Sequence, residues 1–552
     1  MTDIQPPQPL STLARNRRIF GAALLVAGGF LASKITGILD DLILARIIGP
    51  GRELDAYYAA FGLPDLLFTL VAGGALASAF IPVISGLIAR DRSAAWRLAS
   101  AVINLAFLVT AIASTLLALA APWIVNQLFG CGLNPDQRLL VGECGFDPDQ
   151  QLLTADLMRV ILISTAIFSV SAIVMSALQA NQHFLLPALA PIMYNIGILA
   201  GVILLAPRIG VWGPAIGVVI GALLHLLIQV PGLIRHGARW TLWLGLQDPH
   251  LRRVLVLLAP RVVGLGVVQL TAVIGTSLAS QLSPGSVTAL NYGWRMMQLP
   301  ETVIATAVAT AVFPTLSELA ALGKRDELRA TISTTLRAIF ALTVPASVGL
   351  IVLGRPLVRV LFEGGLFESS ATDAVVWALH GYAIGLIGHS TLEVCARSFY
   401  AQQDTRTPLF VAIGAMIVNV IASLALRGPL GHAGLALGNS IGVSVEVLAL
   451  LLMARRRLNG LDEHRILASL ARFAVGAVAM ATASAGLQSI FSVWPLPDGL
   501  PLGPAIRLAV EIGVPLIIAG VIGLLVYVVV ASVLGSEEVR ALPRLILRRK
   551  IA

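Results

Sequence analysis

Residues 19–45 read IFGAALLVAGGFLASKITGILDDLILA, and this stretch decides the fold. Residues 19–33 carry no charge at all, and polarity returns only with Lys34, Asp40 and Asp41. As a helix the 27 residues span about 40 Å, more than the roughly 30 Å of a bilayer's hydrocarbon core. The lead-in MTDIQPPQPLSTLARNRR is polar and then basic, as a secretory signal would be. The apolar run continues well past a signal core and lacks a convincing cleavage site, so it reads as a retained helix.

The same reading repeats along the chain. Apolar blocks at about 19–45, 57–88, 98–128, 153–178, 185–206, 213–234, 254–280, 289–320, 331–353, 372–396, 408–426, 433–454, 467–490 and 504–534 predict about fourteen transmembrane helices. Of the 552 residues 57% are apolar and 12% charged, with a mean hydropathy of +0.88. A soluble chain carries about 25% charged residues, so disorder, a coiled coil, a disulfide scaffold and a cytosolic enzyme are excluded. Aromatic residues at 6% and 51 glycines favour packed helices over a β-barrel with its aromatic girdles. The expected fold is an all-α polytopic membrane protein.

Cations set the predicted orientation. Arg15, Arg17 and Arg18 precede the first span, Arg90, Arg92 and Arg97 follow the second, and Arg235, Arg239, Arg252 and Arg253 follow the sixth. Lys324, Arg325 and Arg329 follow the eighth span, Arg455, Arg456, Arg457 and Arg465 the twelfth, and the tail ends in five more. Loops of the other parity hold only scattered cations. The positive-inside bias puts both termini in the cytoplasm and accounts for the +9 formal charge without nucleic acid. The loop CGLNPDQRLLVGECGFDPDQ then lies outside, where a disulfide between Cys131 and Cys144 is chemically permitted, two free thiols being the other reading. Cys395, inside the tenth span, reads as a small packing residue.

The chain also contains itself twice. QANQHFLLPALAPIMYNIG and YAQQDTRTPLFVAIGAMIVN align with Gln182 on Gln403 and Pro187 on Pro408, each 221 residues apart. GPAIG and GLALG align Gly213 with Gly434 and Gly217 with Gly438 at the same offset, and AFIPVIS with AVFPTLS at 232. Duplication of a six-helix unit explains these matches. An even helix number keeps both copies in one orientation, a plan of alternating-access transporters. The expected organisation is a cytoplasmic tail 1–18, an N-lobe 19–234, a linker 235–253, a C-lobe 254–454, a linker 455–466, two extra helices in 467–534 and a basic tail 535–552.

Ionisable residues at membrane depth are costly, which makes each one a functional candidate. Lys34 and Asp41 are seven apart and share a helix face, allowing an internal ion pair or a bridging ligand, while Asp40 points about 100° away. Arg261 after Pro260 and Arg295 in TALNYGWRMMQLPETV are cations for an anionic group, though each sits where it would also serve as an interfacial anchor. Asp65 after Pro64 is a further cavity candidate. Glu393, Glu446 and Glu511 read as hydrogen-bonding residues of the bundle. No Walker loop, metal-spaced His/Cys cluster or GxSxG occurs, so the sequence predicts a non-enzyme without metal or cofactor, driven by membrane potential or a monovalent ion.

Five strings carry a resemblance: SKITGILDDLILARIIGPGRELDAYYAAFGLPDLL, AFIPVIS, NYGWRMMQLPETV with AVFPTLSE, PLVRVLFEGGLFESSAT and ARSFYAQQDTRTP. In this order the chain resembles the MurJ/MviN family of lipid II flippases, within the superfamily of multidrug, oligosaccharidyl-lipid and polysaccharide exporters. The resemblance implies two six-helix lobes plus two C-terminal helices that form a groove for an isoprenoid tail. It implies a flippase that moves an undecaprenyl-diphosphate-linked peptidoglycan precursor across the bacterial cytoplasmic membrane, with Lys34, Arg261 and Arg295 on the diphosphate. Asp41, Asp55 and Arg295 match cavity or gate positions of the family directly. Lys34 stands where the family has an arginine, as do Asp40 and Phe68, while Gly73 replaces a glutamate. The alternatives it leaves open are another polyprenyl-linked glycan, or a non-transporting platform that assembles other envelope-synthesis proteins.

Overall fold

The computed structural model describes residues 12–130, 145–492 and 507–540. Cys131 and Cys144 lie outside the described residues. Among the described residues fourteen long helices follow one another: α1 Thr12–Ile48, α2 Arg52–Ile88, α3 Arg92–Phe129, α4 Pro148–Ala180, α5 Leu185–Ile209, α6 Trp212–Arg235 and α7 Pro249–Ala279. After these come α8 Ser286–Ala321, α9 Arg325–Phe362, α10 Ser369–Ala401, α11 Arg406–Leu430, α12 His432–Leu458, α13 Glu463–Ser492 and α14 Val510–Val533. Eleven of them are long and apolar enough to cross a bilayer, and α7, bent by 50° between its halves 249–259 and 264–279, makes up to twelve. The other two, α1 and α10, are 37 and 33 residues long, and α10 carries His389, Glu393 and Arg397 along its length. Outward positions confirm a lipid-facing surface: Leu119, Trp123, Ile517 and Val533 are 74%, 68%, 65% and 78% exposed. No soluble protein leaves so many large apolar side chains uncovered on its helices.

Helix ends follow local chemistry. Asp91 caps α3 by accepting from the backbone N–H groups of Ser93 and Ala94 at 2.9 and 3.0 Å. Asp147 caps α4 through Gln150 N–H at 3.0 Å, with Pro148 in the first turn, where its missing N–H does no harm.

The duplication is written into the backbone. Pro148–Ala180 and Ser369–Ala401 are both 33 residues long and offset by 221 at both ends. Leu185–Ile209 and Arg406–Leu430 keep the same offset. Gln182 and Gln403, non-glycine residues in the left-handed region, both have φ of 60°, and Gly210 and Gly431 both have φ of 58°. In α6 the glycines 213, 217 and 221 fall on one face and meet α5 backbone. A Cβ on Gly221 would lie 2.4 Å from the Tyr194 carbonyl oxygen. Their counterparts 434, 438 and 442 do the same against α11, a Cβ on Gly434 falling 2.3 Å from the Leu426 carbonyl. Small residues at four-residue spacing let membrane helices pack backbone to backbone, and both copies use the device.

The described residues form two compact units. The first holds residues 12–48, 59–130 and 147–273, and the second 49–58, 145–146, 274–492 and 507–540. This partition differs from the lobes expected from sequence, because 254–273 of α7 go with the first unit and 49–58 with the second. The bend in α7 falls next to Pro260, a residue with no backbone N–H to give to the helix ladder. Ahead of it, Leu251 and Val254 are 1% and 0% exposed in a core with Phe80, Trp96 and Ile173. In the second unit α13 and α14 pack on α9, burying Phe473, Met480 and Tyr527 with Leu336, Ile339 and Phe340. Tyr527 donates to the Ala341 carbonyl at 2.7 Å, and Arg337 pairs with Glu538, so the two additional helices are fixed to α9 by polar as well as apolar contacts.

Candidate functional site

In the first unit, α1 presents Lys34 exposed, while Asp40 and Asp41 are 5% and 7% exposed. The Lys34–Asp41 ion pair that the seven-residue spacing allowed does not form. Lys34 has no ion pair or hydrogen bond among the described residues. What orients this stretch is α5. Asn195 donates to the Ser33 carbonyl at 2.8 Å and to Thr36 Oγ1 at 2.7 Å. Gly29 touches Ala188 so closely that a Cβ would come within 2.7 Å of it. Lys34 thus sits between two fixed points on the helix.

Asp65 lies exposed at a cavity of about 260 Å³ inside the first unit, among Phe61, Phe68, Phe168, Tyr194 and His225. Phe68, where the family resemblance puts an arginine, has its ring 5.7 Å from that of Phe168. Of Arg261, the backbone lies in α7 and the side chain is outside what the structure describes.

In the second unit, Arg295 is half-buried on α8, its guanidinium 5.6 Å above the Tyr58 ring. Tyr58 meets Tyr292 edge-on at 5.9 Å, and Tyr292 stacks on Phe362 at 4.8 Å, so a run of rings supports the cation. Asp55 is 2% exposed and serves as the N-terminal cap of α8. Its carboxylate accepts from Gly285 N–H at 2.6 Å, Thr288 N–H at 2.8 Å and Thr288 Oγ–H at 2.6 Å. It therefore fastens residues 49–58 to the head of α8.

The string ARSFYAQQDTRTP builds a clamp. Asp404 accepts from the backbone of Arg406 and Thr407 at 3.1 and 3.0 Å and from Thr407 Oγ–H at 2.6 Å, and pairs with Arg457 of α12 at 2.6 Å. Arg457 in turn covers the Phe399 ring at 4.8 Å. Partial burial raises the Asp404 carboxyl, but the Thr407 hydrogen bonds and the Arg457 charge outweigh it and bring the pKa down to about 2. Of the three acids expected to hydrogen-bond within the bundle, Glu393 pairs with Arg397 and Glu511 with Arg507. Glu446 makes no hydrogen bond or ion pair among the described residues.

The model of the family described as lipid II flippase MurJ matches residues 44–500. The chain belongs to the MurJ family.

Among MurJ proteins, the lipid II flippase MurJ of Burkholderia cenocepacia is 30% identical over 446 residues, 80% of this chain and 84% of that one. The probable lipid II flippase MurJ of Rhizobium tropici is 28% identical over 535 residues, 96% of this chain and 97% of its own length. A solved lipid II flippase MurJ in an inward closed conformation superposes with a TM-score of 0.72 at 25% identity, covering 92% of this chain and 98% of that one. An inward-facing multidrug resistance transporter of the MATE family superposes at 0.63 with 14% identity, 78% of this chain and 96% of that one, a likeness of fold alone. The MurJ match takes in the Asp404 clamp, the Asp55 cap and Arg295, while most of α1, including Lys34, precedes residue 44. Sequence reading named Lys34, Asp65 and Arg295 as candidates but not the buried Ser171, His225 and Gln229 group beside the cavity. A histidine inside an otherwise apolar span was its only signal.

Proposed function

We propose that this multi-pass membrane protein is an alternating-access flippase that carries lipid II, the undecaprenyl-diphosphate-linked peptidoglycan precursor, from the inner to the outer leaflet of the bacterial cytoplasmic membrane. The observation that carries this reading is the family match, which runs through residues 44–500 on a fold superposing at 0.72 with a lipid II flippase. Lys34, Arg261 and Arg295 supply cations for the diphosphate, whose charge favours them strongly in a site of low dielectric. Asp41 joins them in binding the cargo, and α13 and α14 take the isoprenoid tail. The cationic loops set both termini in the cytoplasm. Because the cargo is itself charged, membrane potential or a monovalent ion drives the cycle, with no cofactor and no bond made or broken. Depleting the protein in cells tests this. Lipid-linked precursor should accumulate in the cytoplasmic leaflet, and an unchanged distribution between leaflets would overturn it.

A further inference from the structure

The connection between α6 and α7, residues 236–248, is built unlike a loop that faces water. Trp240, Leu242 and Leu246 are 63%, 87% and 67% exposed, with Ile234, Trp243 and Leu244 exposed beside them. Joining two helices does not require this. The corresponding gap after α12 is closed by residues 459–462 alone, none of them aromatic.

The segment is pinned to α3. Asn104 donates through its amide nitrogen to the Thr241 and Trp243 carbonyl oxygens at 2.7 and 3.0 Å, and its amide oxygen accepts from the Trp240 indole N–H at 2.9 Å. Thr241 N–H donates to Ser100 Oγ at 3.2 Å, and Trp243 N–H to the Thr241 carbonyl at 2.9 Å. Gly245, with φ of 58°, lays the chain against Ala101 so closely that a Cβ would come within 3.1 Å of the Ala101 Cβ. Backbone groups at the tip therefore have protein partners, the condition for irregular backbone at the membrane.

Its depth follows from α3. Exposed apolar side chains of α3 run from Phe107 to Trp123, about 24 Å of helix rise, and fit within the roughly 30 Å of hydrocarbon. Asn104 comes one turn before Phe107, about 4.5 Å, inside the shell of about 5–8 Å that headgroups add on each side. The neighbouring helices agree. The last exposed apolar residue of α6 is Ile234, followed by Arg235, and α7 exposes Leu255 and Val256 just after Arg252 and Arg253.

Charge completes the surface. Arg235, Arg239, Arg252 and Arg253 are all exposed, and none is ion-paired among the described residues. The one acid between Ile234 and Val254 is Asp248, which accepts from His250 N–H at 2.7 Å in the first turn of α7. Indole rings favour the membrane–water boundary, and guanidinium groups take phosphate oxygens in pairs. A protein partner would have to displace headgroups to reach side chains at this depth.

From this we infer that residues 234–253 form an interfacial wedge that docks on anionic phospholipid. Trp240, Leu242 and Leu246 enter the boundary between headgroups and acyl chains, and the four arginines take headgroup phosphates. That this leaflet is the cytoplasmic one rests on the orientation in the flippase reading; insertion itself does not.

The test places the photocrosslinking residue p-benzoylphenylalanine at Leu242 of the full chain, in nanodiscs of equal parts phosphatidylglycerol and phosphatidylcholine. The same replacement at Leu119 and at Arg92 gives the lipid and solvent references. Illumination should yield phospholipid adducts at 242 as at 119, read by mass spectrometry, and almost none at 92. At 242 phosphatidylglycerol adducts should exceed phosphatidylcholine adducts about fivefold, and Arg239→Gln with Arg253→Gln should cut that ratio by about half or more. Lipid adducts as rare at 242 as at 92, or equal yields from the two lipids, would overturn the inference. Illuminated in cells, the 242 variant should again couple to lipid, and a protein crosslink as the main product would overturn the wedge in favour of a protein partner. A second measurement needs no crosslinker. The fluorescence lost in Trp240→Phe, taken as a difference from wild type, should be quenched by phospholipid brominated near its headgroup, and an unquenched difference would overturn insertion. If lipid adducts form at 242 while depletion leaves the leaflets unchanged, the wedge stands and the flippase reading falls.

Discussion

Replacing Asp55 with alanine removes the acceptor for three donors at once. Thr288 N–H, buried at the head of α8, has no other partner in reach once the carboxylate is gone, and an orphaned buried donor costs about 1–3 kcal/mol. Gly285 N–H is only partly buried and recovers some solvation, and the Thr288 hydroxyl is free to rotate, so each of these losses is about 1 kcal/mol. The sum is about 3–5 kcal/mol, above the usual ~1 kcal/mol for a helix cap because this cap also ties down a segment from 230 residues earlier in the chain. Asp55→Asn keeps one oxygen for Thr288 and turns an NH₂ toward Gly285, for a loss of about 1–2 kcal/mol. The assay is unfolding of the purified protein in mixed micelles by rising dodecyl sulfate, read by circular dichroism. It should be run on Asp55→Ala, Thr288→Val and the pair. Because the two side chains share a hydrogen bond, the double variant should fall short of additivity by about 1 kcal/mol. Stability within about 0.5 kcal/mol of wild type for Asp55→Ala, or strict additivity, would refute the assignment of Asp55 as a structural cap.

Other outcomes follow from the same geometry. Lys34→Ala should abolish precursor translocation with little change in stability, since Lys34 makes no ion pair among the described residues, whereas Lys34→Arg should retain it; a fully active alanine variant in a complementation assay removes Lys34 from the site. Gly221→Leu and Gly442→Leu should each prevent folding to membrane-inserted protein at normal yield, because a Cβ would fall 2.4 Å from the Tyr194 oxygen or 2.8 Å from Asn419 Cβ, and equal yields on a quantitative blot would contradict the close-packing account. Asp404, held near 2 against an ordinary 3.8, contributes stability that is complete above pH 4 and lost as the pH falls through 2. Comparing unfolding of wild type and Asp404→Asn over that window should show the difference vanish toward the acid end, and a constant difference would rule out the clamp as its cause.

Much of the architecture is legible in the sequence because lipid imposes a one-dimensional rule. A helix in hydrocarbon must be long, apolar and internally hydrogen-bonded, and each of those properties is local. The 221-residue offset is legible for the same reason: Gln182 and Gln403 each close a helix with a left-handed residue, and Gly213 and Gly434 each meet a neighbouring backbone. What sequence does not disclose is a partner. The face of α1 shared by Lys34 and Asp41 allows an ion pair, yet Asn195 and Ala188 of α5 set how that face is turned. Asp55 reads as a cavity or gate candidate, and nothing in the sequence discloses that Gly285 and Thr288, 230 and 233 positions away, donate to it. The aromatic cavity escapes a one-dimensional reading altogether, because its rings come from α2, α4 and α5, and each alone is an ordinary apolar residue of a span.

The central claim is translocation, and the most direct measurement is made on the protein alone. Purified chain is reconstituted into liposomes holding fluorescent lipid-linked precursor in both leaflets, and a membrane-impermeant reagent quenches the outer label. If the chain flips the precursor, an imposed membrane potential should let the reagent reach label that began inside, in wild type but not in Lys34→Ala or Arg295→Ala. If the protected fraction stays the same with and without the protein, the chain does not move this cargo and the account fails.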